Sequence, residues 1–316
     1  MVQSASPAIA VRNLTKRYSG RTVVDDLSFE IAPGEVFALL GPNGAGKTTT
    51  VEMLEGYRQP DGGAVQVLGL DPVHAGRALR PRIGLMLQQG GVYPQSRPLE
   101  VIRLFASFFD DPEDPNALLR LVGLEDSVKT RYRQLSGGQK QRLSLALALV
   151  GKPEVVFLDE PTAAMDPAAR RATWTLVEDL KRRGVTVLLT THFMAEAERL
   201  ADRVGIINRG RLVALGAPEH LARERAAGEV RFTAAPGLDT TALAAHLAAH
   251  VVREVEPGRY VVEAEPSPAL LAALANWLNE QDTLLVELAV ARHSLEEVYL
   301  RLTADDAATA IEAVGA

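Results

Sequence analysis

The sequence predicts a two-part chain, a largely parallel α/β sheet followed by a smaller α+β unit. Three observations predict it. The apolar run EVFALL at 35–40 passes directly into the glycine-rich GPNGAGKT at 41–48. The β-rich runs VVFLDE (155–160) and VTVLLTTH (185–192) flank the helical pattern ATWTLVEDLKRR. Beyond residue 228, strand and helix patterns follow the order β-α-β-β-α-β. Strands alternating with helices argue for a parallel sheet, whereas the second order is that of a split βαβ unit.

Each element has its own reason. AIAVRNL, VVDDLSFEI and EVFALL, between residues 8 and 40, alternate apolar and polar positions between turn signals and read as strands. TTTVEMLEG, after the glycine loop, reads as a short helix ended by Gly56. Residues 98–150 are mostly helical in pattern, with PNALLRLVGL and LSLALALV as the clearest stretches. VGIINRGRLVALG at 204–216 reads as a hairpin turning at Asn208-Arg209-Gly210 and closes a first domain at 1–222. The polar stretch APEHLARERAAGE then leads to EVRFTA, TTALAAHLAAH, VVREVE, RYVVEAE, SPALLAALANWLNEQ and TLLVELAV, with Pro257-Gly258 turning the middle hairpin. HSLEEVYLRLT closes an accessory domain at 228–303, and ADDAATAIEAVGA at 304–316 reads as a disordered tail.

Composition narrows the function classes. Of 316 residues, 47% are hydrophobic and 23% charged, which suits a chain with a real core. The absence of cysteine excludes disulfides and thiolate metal sites and fits a reducing compartment. LSLALALV is far shorter than the ~18–20 residues that span a bilayer, and MVQSASPAIA lacks the apolar centre of a signal peptide. Residues 1–220 carry 27 Lys and Arg against 25 Asp and Glu, and residues 221–316 carry 7 against 15. Neither part has the basic face of a nucleic-acid binder, so no nucleic-acid partner is expected.

The chemistry starts at GPNGAGKT, which fits the phosphate-binding pattern G-x-x-x-x-G-K-[ST] without exception. Gly41, Gly44 and Gly46 let the backbone curl around a phosphate, with Pro42, Asn43 and Ala45 filling the loop. Lys47 supplies a point charge to β- and γ-phosphates, the Thr48 hydroxyl can ligate Mg²⁺, and Thr49 extends the first helical turn. VVFLDE ends an apolar strand with two acids, Asp159 to reach the metal and Glu160 to orient and deprotonate water. His192 ends the next strand, either as a core histidine or as a group facing the γ-phosphate. LSGGQKQR at 135–142 opens another helix with serine and glycines, a second start that offers free N–H groups to an anion.

LSGGQKQR, together with the phosphate loop and VVFLDEPT, resembles the signature of the ATP-binding cassette (ABC) family, and the resemblance spans roughly residues 8–222. It implies an ABC cassette: a P-loop core, an antiparallel β subdomain and a helical subdomain, here followed by a ferredoxin-like domain. In that family the signature covers ATP held by a second cassette. The resemblance therefore implies a homodimer in which Ser136, Gly137, Gly138 and Gln139 of one copy face the phosphate loop of the other. It further implies that Tyr18 stacks on adenine, that Gln88 (or the adjacent Gln89) senses Mg²⁺ and the membrane partner, and that Asp166 in PTAAMDP belongs to the interface loop. His192 becomes the switch histidine. Ala164-Met165 departs from the family's usual Gly-Leu or Ala-Leu.

With one cassette and no membrane span, the resemblance implies separate membrane permease subunits and a peripheral location on the cytoplasmic face of the membrane. The run THFMAEAERLADRVGIINRGRLVALGAPEHL and the ending SLEEVYLRLT resemble ATPase subunits of daunorubicin-type drug exporters, implying efflux of a drug, lipid or other hydrophobic cargo. An importer ATPase and a non-transport cassette ATPase share the catalytic core and stand as alternatives.

Overall fold

The computed structural model describes residues 6–86, 91–163, 165–224, 229–249, 251–291 and 295–312. The chain divides into two compact units, residues 1–218 with 299–316, and residues 219–298.

The first unit opens with β1 (Ile9–Tyr18), β2 (Arg21–Ile31) and β3 (Val36–Leu40). Next come α1 (Lys47–Leu54), β4 (Gly62–Val67), α2 (Gly76–Leu79) and β5 (Ile83–Met86). Three helices follow, α3 (Pro98–Ala106), α4 (Pro115–Leu121) and α5 (Gly137–Leu149). Then come β6 (Val155–Asp159), α6 (Pro167–Arg182), β7 (Thr186–Thr190), α7 (Met194–Leu200), β8 (Arg203–Asn208) and β9 (Arg211–Gly216).

Six of these strands form one sheet in the order β5-β6-β7-β3-β8-β9, parallel throughout except for β9 at its edge. Every residue of β3 and β7 is buried, as is all of β6 before Asp159. Such strands need no alternation, because helices cover both faces of a parallel sheet. The parallel register sets Leu39 beside Thr190 and Thr190 beside Asp159, so three strand ends open on one edge. A second sheet, β2-β1-β4, is antiparallel. Phe29 of β2 stacks on Phe37 of β3 with centroids 5.2 Å apart, inside a core shared by the two sheets.

The strands expected at 8–40 and the helices expected at 98–150 are present. The hairpin expected at 204–216 is β8–β9, turning through Arg209 and Gly210 with φ of 48° and 81°. β4 and β5 escape a pattern reading because GGAVQV and IGLM are short and glycine-bearing. Their pairing partners are distant in sequence.

The second unit contains β10 (Glu229–Thr233), α9 (Thr240–His246), β11 (Val251–Glu256), β12 (Arg259–Glu263), α10 (Pro268–Glu280) and β13 (Glu287–Ala291), preceded by α8 (Pro218–Glu224). Its sheet runs β11-β12-β10-β13, wholly antiparallel, which is the split βαβ arrangement. Val230, Phe232, Tyr260 and Val262 face Leu243 of α9 and Leu270, Leu274, Trp277 and Leu278 of α10. The α10 set falls at i, i+4, i+7 and i+8, one stripe of a helix. Tyr260 stays buried because its hydroxyl donates to Ala235 O at 2.8 Å and accepts from Leu238 N at 3.0 Å.

The last helix, α11 (Leu295–Glu312), departs from the sequence expectation. It continues through most of the stretch read as a disordered tail at 304–316, whose alanines favour a helix despite their polarity; residues 313–316 lie outside the described residues. It also crosses the expected boundary at 303, since residues from Tyr299 onward belong to the first unit. There Asn208 Nδ2 donates to Leu302 O at 3.2 Å.

Candidate nucleotide-hydrolysis site

The phosphate loop joins β3 to α1, and two of its glycines are required by close approach. A Cβ on Gly41 would lie 2.4 Å from Ile207 O. Gly46, the N-cap of α1, has φ of 105°, and a Cβ there would lie 2.6 Å from Val23 O. Gly44 is left-handed as well, with φ of 79°. Pro42 O accepts from Ala45 N at 3.2 Å, which tightens the loop, while Asn43 and Gly44 lie exposed at its tip. Lys47, Thr48 and Thr49 form the first turn of α1, whose N–H groups have no partner within the helix. Lys47 is buried and folds back, donating from Nζ to Gly41 O at 2.7 Å and Pro42 O at 3.1 Å. Burial pushes its pKa down, against the opposing attraction of Glu160 and Asp159.

Those two acids sit at the end of β6, with β7 between them and β3. Thr190, fully buried at the end of β7, ties them together: its hydroxyl donates to Asp159 Oδ1 and accepts from Glu160 N, the latter at 3.1 Å. Burial raises the Asp159 pKa, with the Thr190 hydrogen bond pulling it down and the Glu160 charge pushing it up. Glu160 occupies a left-handed conformation, φ 48°, which costs a non-glycine residue on the order of 1–3 kcal/mol. Both of its backbone groups are held: N–H also reaches Thr190 O at 3.1 Å, and the carbonyl accepts from Gln141 Nε2 at 2.8 Å. Its carboxylate Oε1 lies 3.2 Å from His192 Nδ1.

The structure thus brings Lys47, Asp159, Glu160 and His192 to one edge of the parallel sheet. Thr48 and Asp159 supply hydroxyl and carboxylate oxygens, hard donors of the kind Mg²⁺ takes. Among the described residues no group of three or more His, Cys, Asp or Glu could hold a metal on its own. That donor set suits Mg²⁺, which is held by one or two protein oxygens together with phosphates.

The remaining candidates lie elsewhere in the first unit. Ser136 caps α5 by accepting from Gln139 N at 3.2 Å, and Gln139 returns the bond by accepting from Ser136 N at 2.8 Å. Gln139 is anchored further through Ser127 Oγ at 2.9 Å, leaving Gly137 and Gly138 as the first backbone of the helix. Among the described residues no hydrogen bond or ion pair joins Ser136–Gln139 to the phosphate loop of the same chain. Asp166 caps α6, accepting from Ala168 N at 2.9 Å and Ala169 N at 3.0 Å, and these two bonds hold its carboxyl below the usual range. Met165, part of the departure at 164–165, is buried and accepts from Thr173 Oγ1 at 3.2 Å. Tyr18 ends β1 with its ring half-exposed between Lys16 and Arg58, each cation 5.6 Å from the centroid. Gln88 and Gln89 lie outside the described residues.

Three residues that matter here escaped the sequence reading. Thr190 stands two positions before His192, and a hydroxyl at a strand end beside paired acids could have marked it. Gln141 is inside LSGGQKQR, but nothing local says that its amide reaches Glu160. Glu55, just past α1, has its carboxyl pKa pushed up to about 8 by burial, then by the charges of Asp159 and Glu52.

A phosphate loop and a paired-acid strand end on one parallel sheet define a P-loop nucleotide-hydrolysing protein. Comparison with known proteins narrows the class. The ABC transporter family model matches residues 24–163. The Nod factor export ATP-binding protein I of Paraburkholderia xenovorans (strain LB400) is 40% identical over 305 residues, covering 94% of this chain and 97% of that protein. Its counterpart in Ralstonia nicotianae is 38% identical, covering 95% and 94%. Among solved structures, an ATP-binding subunit of an ABC transporter aligns with a TM-score of 0.63 and 29% identity over 69% of this chain and 92% of that one. A dimeric cassette bound to ADP and Pi in a post-hydrolysis state aligns with a TM-score of 0.61 and 25% identity, over 66% and 98%. The chain belongs to the ATP-binding subunits of ABC transporters, and it is an ATPase coupled to transport. The expectation of a drug cargo finds no support in these relatives, which are named for Nod factor export. Among the described residues no helix is long and apolar enough to cross a membrane.

Proposed function

We propose that this chain is the ATP-hydrolysing subunit of an exporter, energising efflux of a hydrophobic cargo through separate membrane permease subunits. In this reading Gly41–Thr49 cradle the β- and γ-phosphates, and Lys47 leaves its own loop carbonyls to meet them. Thr48 and Asp159 would hold Mg²⁺, with Gln88 as a further ligand that would report to the permease. Bound Mg²⁺ would neutralise charge on the transferring phosphoryl group. Glu160 accepts a proton from the attacking water, and His192 holds the Glu160 carboxylate and reaches the γ-phosphate. Tyr18 stacks on adenine.

The dimer belongs to the same reading. Two copies face each other so that Ser136–Gln139 of one cover the ATP of the other, with Asp166 in the interface loop. The accessory domain, expected at 228–303 and forming the compact unit 219–298, then tunes how the cassettes pair. The observation that carries the hydrolytic roles is the 3.2 Å approach of His192 to Glu160 at a strand end electrostatically coupled to Lys47. Export is supported by the relatives' names, and dimer formation by the dimeric cassette of the same fold. A peripheral location on the cytoplasmic face follows from docking on the permease.

The test is reconstitution. The chain is co-purified with a candidate membrane permease subunit and placed in vesicles with ATP on the cassette side. Cargo-stimulated hydrolysis with cargo leaving the ATP side is the expected outcome. Movement toward the ATP side would make it an importer ATPase, and failure to bind any membrane protein would favour a non-transport role.

A further inference from the structure

We propose that Gln141 is a positioning residue for Glu160, linking the signature helix to the hydrolytic carboxylate of the same chain. The proposal rests on the reading of Glu160 as the base. Gln141 Nε2 donates to Glu160 O at 2.8 Å, and among the described residues this is the one side-chain bond to the carbonyl of a residue held at φ 48°, a carbonyl that also accepts from Ala163 N at 3.3 Å. The N–H side of that residue is fixed to β7 through Thr190. Glu160 is therefore clamped between a sheet strand and a helix, and its side chain reaches His192 from a backbone anchored on both sides. Asp159, one residue earlier, is held by Thr190 as well, so the α5 anchor is specific to Glu160.

The other end of the linkage is the opening of α5. Ser136 caps that helix through a reciprocal bond with Gln139, and Gln141 lies one turn beyond Gly137 on the same face. Five residues of helix, roughly 7.5 Å of rise, separate the cap from the Glu160 clamp. A capped helix start is stiff. Any ligand that engages the Ser136–Gly138 backbone therefore shifts or steadies Gln141, and with it the carbonyl of Glu160. Signature engagement thereby sets the aim of the carboxylate in the same chain while it covers the nucleotide of another.

A residue that acts only through Glu160 must alter turnover without altering nucleotide binding, and must lose its effect when the carboxylate is gone. Gln141→Leu keeps the size and removes the donor. Gln141→Glu keeps the shape and sets an acceptor against the carbonyl, and serves if the leucine variant folds poorly. With the full chain, kcat, KM for ATP, nucleotide affinity by equilibrium titration and Tm are measured for both, and single-turnover hydrolysis is repeated in the Glu160→Gln background. We expect kcat to fall about tenfold with KM and affinity within about twofold of wild type, and no further loss in the Glu160→Gln background. Unchanged kcat in both variants overturns the proposal. So does a tenfold loss that persists in the Glu160→Gln background, because Gln141 would then act independently of the carboxylate. Failure of the Glu160 assignment reads differently: Glu160→Gln alone would hydrolyse ATP near the wild-type rate.

Discussion

Glu55 makes the cassette's stability depend on pH in a direction opposite to that of most carboxylates. The residue follows α1, and its backbone N–H bonds to Val51 O at 2.9 Å, fixing the side chain at the helix end. Burial, then repulsion from Asp159 and Glu52, raises its pKa from the ordinary 4.5 to about 8. The folded state thus holds this proton more tightly than the unfolded state does. The Glu55 contribution to stability is full below about pH 4.5, falls as pH rises through the window, and is lost above about pH 8. At 1.36 kcal/mol per pH unit the window allows about 5 kcal/mol, and partial access of water reduces this to on the order of 3 kcal/mol. Glu55→Gln mimics the protonated acid and removes that slope. For a unit of this size each kcal/mol moves Tm by about 2–4 °C. The variant should therefore melt roughly 6–12 °C above wild type at pH 8, with the two nearly equal at pH 4.5. Thermal melts of both proteins across pH 4.5–8, without nucleotide or Mg²⁺, provide the assay. An equal offset at both ends of the range would refute the reasoning, since a neutral replacement would then act by packing alone.

Other expectations concern the site itself. Glu160→Gln should bind ATP as wild type does while turnover drops about 10²–10⁴-fold, and an ATP-dependent dimer should accumulate on size exclusion; near-normal turnover would remove Glu160 from the mechanism. Lys47→Ala and Ser136→Arg should each abolish activity, yet a mixture that forms hetero-dimers should recover part of it, because one composite site then combines neither defect. No recovery in proven hetero-dimers would favour self-contained sites. Gly41→Ala sets a methyl 2.4 Å from Ile207 O, so nucleotide affinity and Tm should both fall; an unaffected titration would mean that the loop can move off β8. Thr190→Val keeps the volume but leaves Asp159 without its hydroxyl donor, so its pKa should rise further and Mg²⁺-dependent turnover near pH 6 should drop more than at pH 8. A pH-independent loss would contradict that role.

The edge that gathers Lys47, Asp159, Glu160 and His192 was readable because each of its parts is a contiguous run. Gly41–Thr48, Asp159–Glu160 and His192 each end a strand, and parallel strands bring their ends to one side without further information. The split βαβ order of the second unit was legible for the same reason, since each element carries its own periodicity. The clamps on Glu160 were not, because Gln141 and Thr190 meet it across 19 and 30 residues, and no local pattern encodes an amide aimed at a carbonyl. Glu55 was illegible in another way: EMLEG reads as a polar helix end, and only tertiary burial beside Asp159 turns the acid neutral. The tail misled because its polarity suggested disorder while its alanines favoured helix.

The path of α11 also sets the order in which contacts of the first unit can form. Residues 219–298 are spliced into the first unit instead of being hung from its end, because the chain returns to that unit from Tyr299 onward. A ribosome releases Met1–Pro218 long before the segment whose Leu302 O accepts from Asn208 Nδ2. That last contact of the ATPase unit can therefore form only after the inserted unit has been made and the last helix emerges. Domains otherwise tend to close in order of synthesis. A premature stop near the carboxyl end would strip a partner from a strand laid down about a hundred codons earlier, and the inserted unit, joined at both ends, could not be shed by a single proteolytic cut.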